Sequence, residues 1–253
     1  MANASEGAVN AGGMLVEWFD LVPTAGDDAL GPDLVNQIES GRPDFAARPG
    51  LIRKLLPVSM DQQTGHTSSG GSYLFDSLDN ARAHLKWTQS IYRLDGLLFS
   101  EQPWVANMDG FVGQVVGAYD FKPLATSHSA QRIQVWRVTT DDALALASRA
   151  WPHLLQSARH ANLSSVWLGV DTSKQTLGLV SVVSRSPNET GHDYRALHSL
   201  RDCAIVDKIL PELQPQNAIV DKSMWVITIW LPPQNGRIPD GLWPNSPPLP
   251  APL

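Results

Sequence analysis

The sequence is poor in the features that announce most chemistries. It has one cysteine, Cys203, in 253 residues, which excludes an internal disulfide and any multi-cysteine zinc site. Asp, Glu, Lys and Arg together make up 17% of the chain, below the roughly 25% of typical globular domains, which favours a packed core over a disordered chain. Nineteen Lys and Arg stand against 25 Asp and Glu, a formal charge of −6. No basic run is present, so no nucleic-acid partner is expected. No apolar run approaches the roughly 18 residues of a membrane span, so no membrane partner is expected. Residues 1–13 hold no Lys or Arg and no sustained apolar stretch, unlike a secretory signal. The expectation is a soluble, cytoplasmic protein. The seven histidines form no HxH, HExxH or Cys–His spacing, so no metal site is expected. No Gly-rich phosphate loop, Ser-His-Asp signature or nucleotide fingerprint is visible.

What the chain does have is apolar bulk: 43% hydrophobic residues and nine Trp. Residues 1–13 read as a flexible leader, 122–131 as a linker and 233–253 as a Pro-rich tail. Between them the order of elements repeats. In residues 132–232, Ile133–Val138 is strand-like, and a helix follows from Thr140, with Leu144, Ala147, Trp151, Leu154 and Ala158 at helical spacing. Pro152 inside that pattern predicts a kink or a split. Val166–Val170 and Leu177–Val183 flank the polar turn 171–175 as a hairpin. A second helix is expected around Tyr194–Leu210 and a last strand at Met224–Leu231. In residues 14–121 the same order is laid out as strand Met14–Leu21, helix Pro32–Ala47, strands Leu51–Met60 and Gly71–Phe75, helix Asp79–Ser90 and strand Val112–Phe121. Ile91–Gly110 is an insertion. The expected fold is α+β, two ferredoxin-like β-α-β-β-α-β units. Each leaves one sheet face bare, so the two are expected to pack sheet to sheet as a pseudo-dimeric α+β barrel within one chain, with further homo-oligomerisation open.

The segment Gly70-Gly-Ser-Tyr-Leu-Phe-Asp-Ser-Leu-Asp-Asn-Ala-Arg-Ala-His-Leu85 resembles the dimeric α+β barrel proteins of the antibiotic-biosynthesis monooxygenase superfamily, especially its small monooxygenase-like members. In these a glycine pair leads a Tyr-Leu-Phe strand into a helix of alanine and leucine. The resemblance is to the fold. It implies a small-molecule enzyme acting on an aromatic or polycyclic metabolite, a cofactor-free monooxygenase of secondary metabolism being the first reading. A cyclase or isomerase using acid–base chemistry in the same pocket, and a non-catalytic ligand-binding or assembly protein, stand as alternatives. No cofactor is expected. Haem is the alternative there, because the helices carrying His84 and His198 correspond to the one that supplies the iron ligand in haem-degrading relatives.

The richest local cluster is His84, Trp87, Tyr92, Arg93 and Asp95. His84 and Trp87 share a helix face. A His beside a Tyr and an Asp can abstract a phenol proton and hold the resulting anion, and Arg53 on a neighbouring strand can stabilise that charge. His84, Tyr92, Asp95 and Arg53 are therefore the candidate catalytic residues. Trp18, Tyr73, Trp87, Phe99 and Trp104 are the candidate walls of an aromatic-binding pocket. The first half is the expected location, since it carries both the resemblance and the insertion. The competing reading is that the tryptophans are core and the cluster an ordinary helix end.

Overall fold

The computed structural model describes residues 6–22, 44–45, 47–60, 66–122, 124, 129–138, 142–184, 200, 203 and 218–230. Strands β1 (Gly7–Ala8), β2 (Gly13–Leu21), β3 (Leu51–Met60) and β4 (Thr67–Phe75) lead to helix α1 (Leu78–Ser90). The short strands β5 (Arg93–Leu94) and β6 (Leu97–Leu98), a 3-10 turn (Phe99–Glu101) and the long strand β7 (Val105–Asp120) complete the first half. The second half runs β8 (Ser129–Arg137), α2 (Ala143–His160), β9 (Ser165–Asp171), β10 (Thr176–Ser184) and β11 (Ala218–Trp230).

The strands pair antiparallel in the order β7-β2-β4-β3-β11-β8-β10-β9, and β9 returns to β7. The result is one closed eight-stranded barrel. β7 makes closure possible: its 16 residues hold β2 and β1 on one edge and β9 on the other. Closure removes the exposed edges that an open sheet must otherwise protect.

This pairing corrects the expectation of two ferredoxin-like units packed sheet to sheet. Each half does contribute four long strands in the order fourth-first-third-second. Their edge strands, however, hydrogen-bond to each other, β3 to β11 and β7 to β9. The sheets are thus segments of one wall around a shared interior, not two separate layers. Among the described residues there are two helices of any length, α1 and α2. Nearly all of the helices expected at Tyr194–Leu210 and Pro32–Ala47 lies outside the described residues.

Strand alternation sorts the side chains into three layers. Met14, Val16 and Trp18 of β2 point into the barrel with Leu55, Phe111, Ile133, Trp167 and Met224. Leu15, Phe19 and Leu21 point outward beneath α1 and the hairpin. In the second half, Trp136, Val166, Leu168 and Leu177 point outward against α2. That helix begins at Asp142, whose side chain accepts from the amide of Ala145 at 2.8 Å. It presents Ala143, Ala147, Ala150, Leu154 and Ala158 to the sheet, and it continues through Pro152 without a break. The same rule places α1: Ser77 caps its first turn, and Ala81, His84 and Thr88, three and four residues apart, form its buried stripe.

The barrel encloses an ion pair. Arg53 donates two hydrogen bonds to Asp120, at 2.8 and 2.6 Å. Ser165 donates to Asp120 at 2.8 Å and receives the indole N–H of Trp167 at 2.8 Å. The bidentate geometry is the strong form of this pairing and gives each charge a partner where water is excluded. No helix among the described residues is long and apolar enough to cross a membrane.

Candidate functional site

The site begins with a carboxylate in an apolar strand. In the run Met14-Leu-Val-Glu-Trp-Phe19 of β2, alternation sends Glu17 to the outer face between Leu15 and Phe19. There the second strand over, β3, presents Lys54; Thr88 of α1 covers Glu17, and the ring of Phe45 lies over Lys54. Glu17 and Lys54 are 3% and 2% exposed, so neither charge is solvated in the ordinary way. β4 runs between them. Gly71 pairs with Glu17 across the β2–β4 ladder, and Tyr73 pairs with Lys54 across the β3–β4 ladder. A Cβ at Gly71 would collide with the ring of Tyr73, so this glycine lets the phenol lie flat over the strand. A Cβ at Gly70 would meet the backbone carbonyl of Glu17.

The absent side chains help to leave a small cavity over this part of the sheet. Its wall comes from three directions. Glu17, Phe19, Lys54, Leu56, Gly70, Gly71 and Tyr73 come from the sheet; Thr88 and Tyr92 come from α1 and its end; Leu94 and Phe99 come from the insertion, with Phe45 and Met108 closing the sides. The insertion reaches the cavity because it is tied down. Asp95 and Gly96 turn the β5–β6 hairpin with φ of 51° and 86°, and the Gln102 side chain donates to the Leu94 carbonyl at 2.6 Å.

Electrostatics single out Glu17. Burial raises its pKa from the ordinary 4.5 to about 7, although the Thr88 hydroxyl, donating to Oε1 at 2.8 Å, and the charge of Lys54 both act to lower it. A carboxyl balanced between its two forms near neutral pH suits proton transfer. The phenols around it stay protonated. Burial, then the nearby Glu17 and Tyr92, hold Tyr73 well above its ordinary range. Burial and the charge of Asp44 push Tyr92 up to about 12.

The predicted residues fall into three groups. Tyr92, Tyr73 and Phe99 line the cavity. Trp87 and Trp104 stand just behind the wall: Trp87 packs on Tyr92 with ring centroids 4.5 Å apart, and Trp104 meets Phe99 edge-on at 5.6 Å. The remaining four do not line it. Arg53 and Trp18 face the barrel interior, because they sit on the opposite pleat from Lys54 and Glu17. Asp95 occupies the hairpin turn and is exposed. His84 is enclosed by Phe45, Tyr73, Phe75 and Trp87, at centroid distances of 5.6, 4.8, 5.2 and 5.3 Å. Neither of its ring nitrogens has a hydrogen-bond partner among the described residues. Burial and the charges of Lys54 and Arg48 hold its pKa well below the ordinary range. A ring so enclosed does not fit the axial-ligand role that the haem reading requires, and His198 lies outside the described residues. Sequence reasoning missed Glu17, Lys54 and Thr88. The available signal was a charge inside a strand that is apolar on both faces, which β2 and β3 each carry.

Neither a protein-family model nor a curated protein sequence matches the chain. Solved structures do. A protein named "Putative monooxygenase" from Fusobacterium nucleatum subsp. nucleatum is 13% identical with a TM-score of 0.57, over 88% of this chain and 96% of the other. A "putative monooxygenase" from Lactobacillus acidophilus is 10% identical with a TM-score of 0.51, over 86% of this chain and 96% of the other. At these identities the likeness shows a shared fold: a closed antiparallel barrel with helices on its outer face.

Proposed function

We propose that the chain is a small-molecule enzyme that removes a proton from an aromatic or polycyclic metabolite in the cavity above β2, with Glu17 as the base. The observation that carries this reading is the burial of Glu17, at a pKa of about 7, in the wall of a mostly apolar cavity. Burial of an ionisable carboxyl is costly, and a strongly shifted carboxyl in a cavity wall is a frequent mark of a functional site. Glu17 keeps hydrogen-bonding options in both states. Thr88 Oγ1 lies 2.8 Å from Glu17 Oε1 and 2.9 Å from the Leu85 carbonyl. Its single hydrogen goes to the carboxylate when Glu17 is ionised. It goes to Leu85 when the protonated carboxyl itself donates to Thr88.

The first reading of the chemistry is oxygenation without a cofactor. A ring carbon bearing two hydrogens beside a carbonyl loses one as a proton to Glu17. The carbanion passes electrons to dioxygen and joins it as a peroxide. Glu17 returns the proton, and loss of water leaves a new carbonyl, so one oxygen atom stays in the product and one leaves in water. The names of the two structural neighbours agree with this reading. The isomerase or cyclase reading shares the first step and differs in returning the proton to another carbon. Incubation with anthrone- and naphthol-type compounds under 18O2, followed by mass spectrometry, tests both. Incorporation of one label that requires Glu17 supports oxygenation. A mass-neutral product supports the isomerase. No turnover over a broad panel, with binding retained, would favour the binding-protein reading.

A further inference from the structure

We propose that the Tyr73 hydroxyl is the hydrogen-bond donor that holds the ligand's carbonyl oxygen, so that the cavity takes a ring ketone with an acidic C–H beside its carbonyl. The proposal rests on the reading of Glu17 as the base and adds what that reading leaves open, the group that steadies the oxygen when the C–H bond breaks. Backbone pairing puts the two side chains together. Gly71 is the cross-strand partner of Glu17, and a Cβ at Gly71 would run into the hydroxyl end of Tyr73. The phenol thus ends over the residue that faces the carboxyl, and both side chains line the cavity. Thr88 holds Glu17 Oε1. Among the described residues nothing hydrogen-bonds Glu17 Oε2 or the Tyr73 hydroxyl. A proton acceptor and a hydrogen-bond donor therefore face one mostly apolar cavity. An enolising ketone needs that pair, the C–H against the carboxylate and the C=O against the phenol.

The phenol is also fixed in place. Its ring stacks on Phe45 and Phe75 with interplanar angles of 11° and 25°, and packs on His84 at a centroid distance of 4.8 Å. A donor set before the ligand arrives needs no reorganisation as charge develops. Burial keeps it protonated throughout the range in which Glu17 titrates. The other polar groups of the wall are placed differently. The Thr88 hydrogen goes to Glu17 or to the Leu85 carbonyl. The Lys54 ammonium lies 3.3 Å from the centroid of Phe45. The charged neighbour of Tyr92 is the exposed Asp44, whereas that of Tyr73 is Glu17. In the step itself the C–H bond breaks and the proton goes to Glu17. The electron pair moves onto the carbonyl oxygen as an enolate, and Tyr73 keeps its proton while its hydrogen bond shortens. The oxygenase and isomerase readings share this step.

1-Indanone labelled with carbon-13 at the carbonyl is the probe, read by difference infrared spectroscopy on the full chain. Its carbonyl band is expected to fall on binding to the wild-type protein, relative to its position in hexane. Indane, the same rings without the oxygen, is expected to bind about 3- to 10-fold more weakly, the worth of one neutral hydrogen bond. In Tyr73→Phe, which keeps the stacked ring, the bound band should return toward the hexane position. Exchange of the C2 hydrogens of 1-indanone with D2O, followed by NMR, should slow by about 10²–10³-fold in that variant, the usual loss of one oxyanion donor. A band that stays low in Tyr73→Phe assigns the oxygen to another donor and overturns the proposal. Wild-type protein alone also decides it: no advantage of 1-indanone over indane, including binding of neither, overturns it even if Tyr73→Phe does not fold. Glu17→Gln separates the two ideas, since it should lose the exchange and keep the low band. Retained exchange in Glu17→Gln would remove the base reading, and the band in Tyr73→Phe would still decide the role of Tyr73.

Discussion

Thr88 of α1 and Glu17 of β2, 71 residues apart in sequence, are joined by a buried 2.8 Å hydrogen bond. It fixes how α1 sits on the first-half sheet, and it touches the group on which the proposed chemistry depends. Thr88→Val keeps the shape and removes the donor. The carboxylate form of Glu17 then loses its support, so its titration should move above 7, and the fold should lose about 1–2 kcal/mol at alkaline pH. Thr88→Ser should restore both. Thermal melts and a titration of the two variants check this.

Glu17→Gln should separate activity from stability. Turnover should fall by about 10²–10⁴-fold, the usual loss for a general base. Stability should rise in alkaline buffer. A carboxyl whose pKa is 4.5 unfolded and about 7 folded binds more protons when folded, so it weakens the fold as pH rises through that window. The full effect above the folded value is roughly 3 kcal/mol. Melts of the wild type should therefore fall relative to those of Glu17→Gln as pH rises from about 4.5 to about 7, and the difference should level off above that.

His84 acts with the opposite sign. Its depressed pKa means that the unfolded chain binds a proton the folded chain refuses, so stability is lost as pH falls below the ordinary histidine value of 6.5. His84→Phe, which fills the aromatic cage without a titrating group, should lessen that loss. Unfolding curves on the acid side, compared between the two proteins, test it.

The barrel interior gives a prediction that does not involve the cavity. Asp120→Leu leaves the Arg53 guanidinium buried without its carboxylate and should cost about 3–5 kcal/mol. Adding Arg53→Met removes the stranded charge, so the double variant should recover much of the loss. Denaturant titrations of both variants measure the difference.

Much of this wall was legible from sequence, because Met14–Leu21, Leu51–Met60, Val166–Val170 and Leu177–Val183 carry apolar runs bounded by turns, and strand periodicity is a local signal. What locality does not encode is pairing. Nothing in Leu51–Met60 says that its outer edge meets β11, and that contact turns two sheets into one barrel. The site failed in part for a related reason. Proximity in sequence grouped His84, Tyr92 and Asp95, yet the helix buries the first and the hairpin exposes the last. Arg53 and Lys54 are adjacent but point to opposite sides of the wall, so choosing Arg53 selected the barrel interior instead of the cavity. The aromatic wall was easier, because Tyr92 and Phe99 lie inside a segment already marked as an insertion and Tyr73 lies in the strand that carries the resemblance.

The central claim is that one buried carboxyl is half-protonated near neutral pH. Carbon-13 NMR of protein labelled at glutamate side-chain carboxyls, titrated from acid to alkaline pH and compared with Glu17→Gln, observes it directly. The account predicts one resonance, missing from the variant, with its midpoint at about 7. A Glu17 resonance that titrates with the other glutamates, near 4.5, would contradict it.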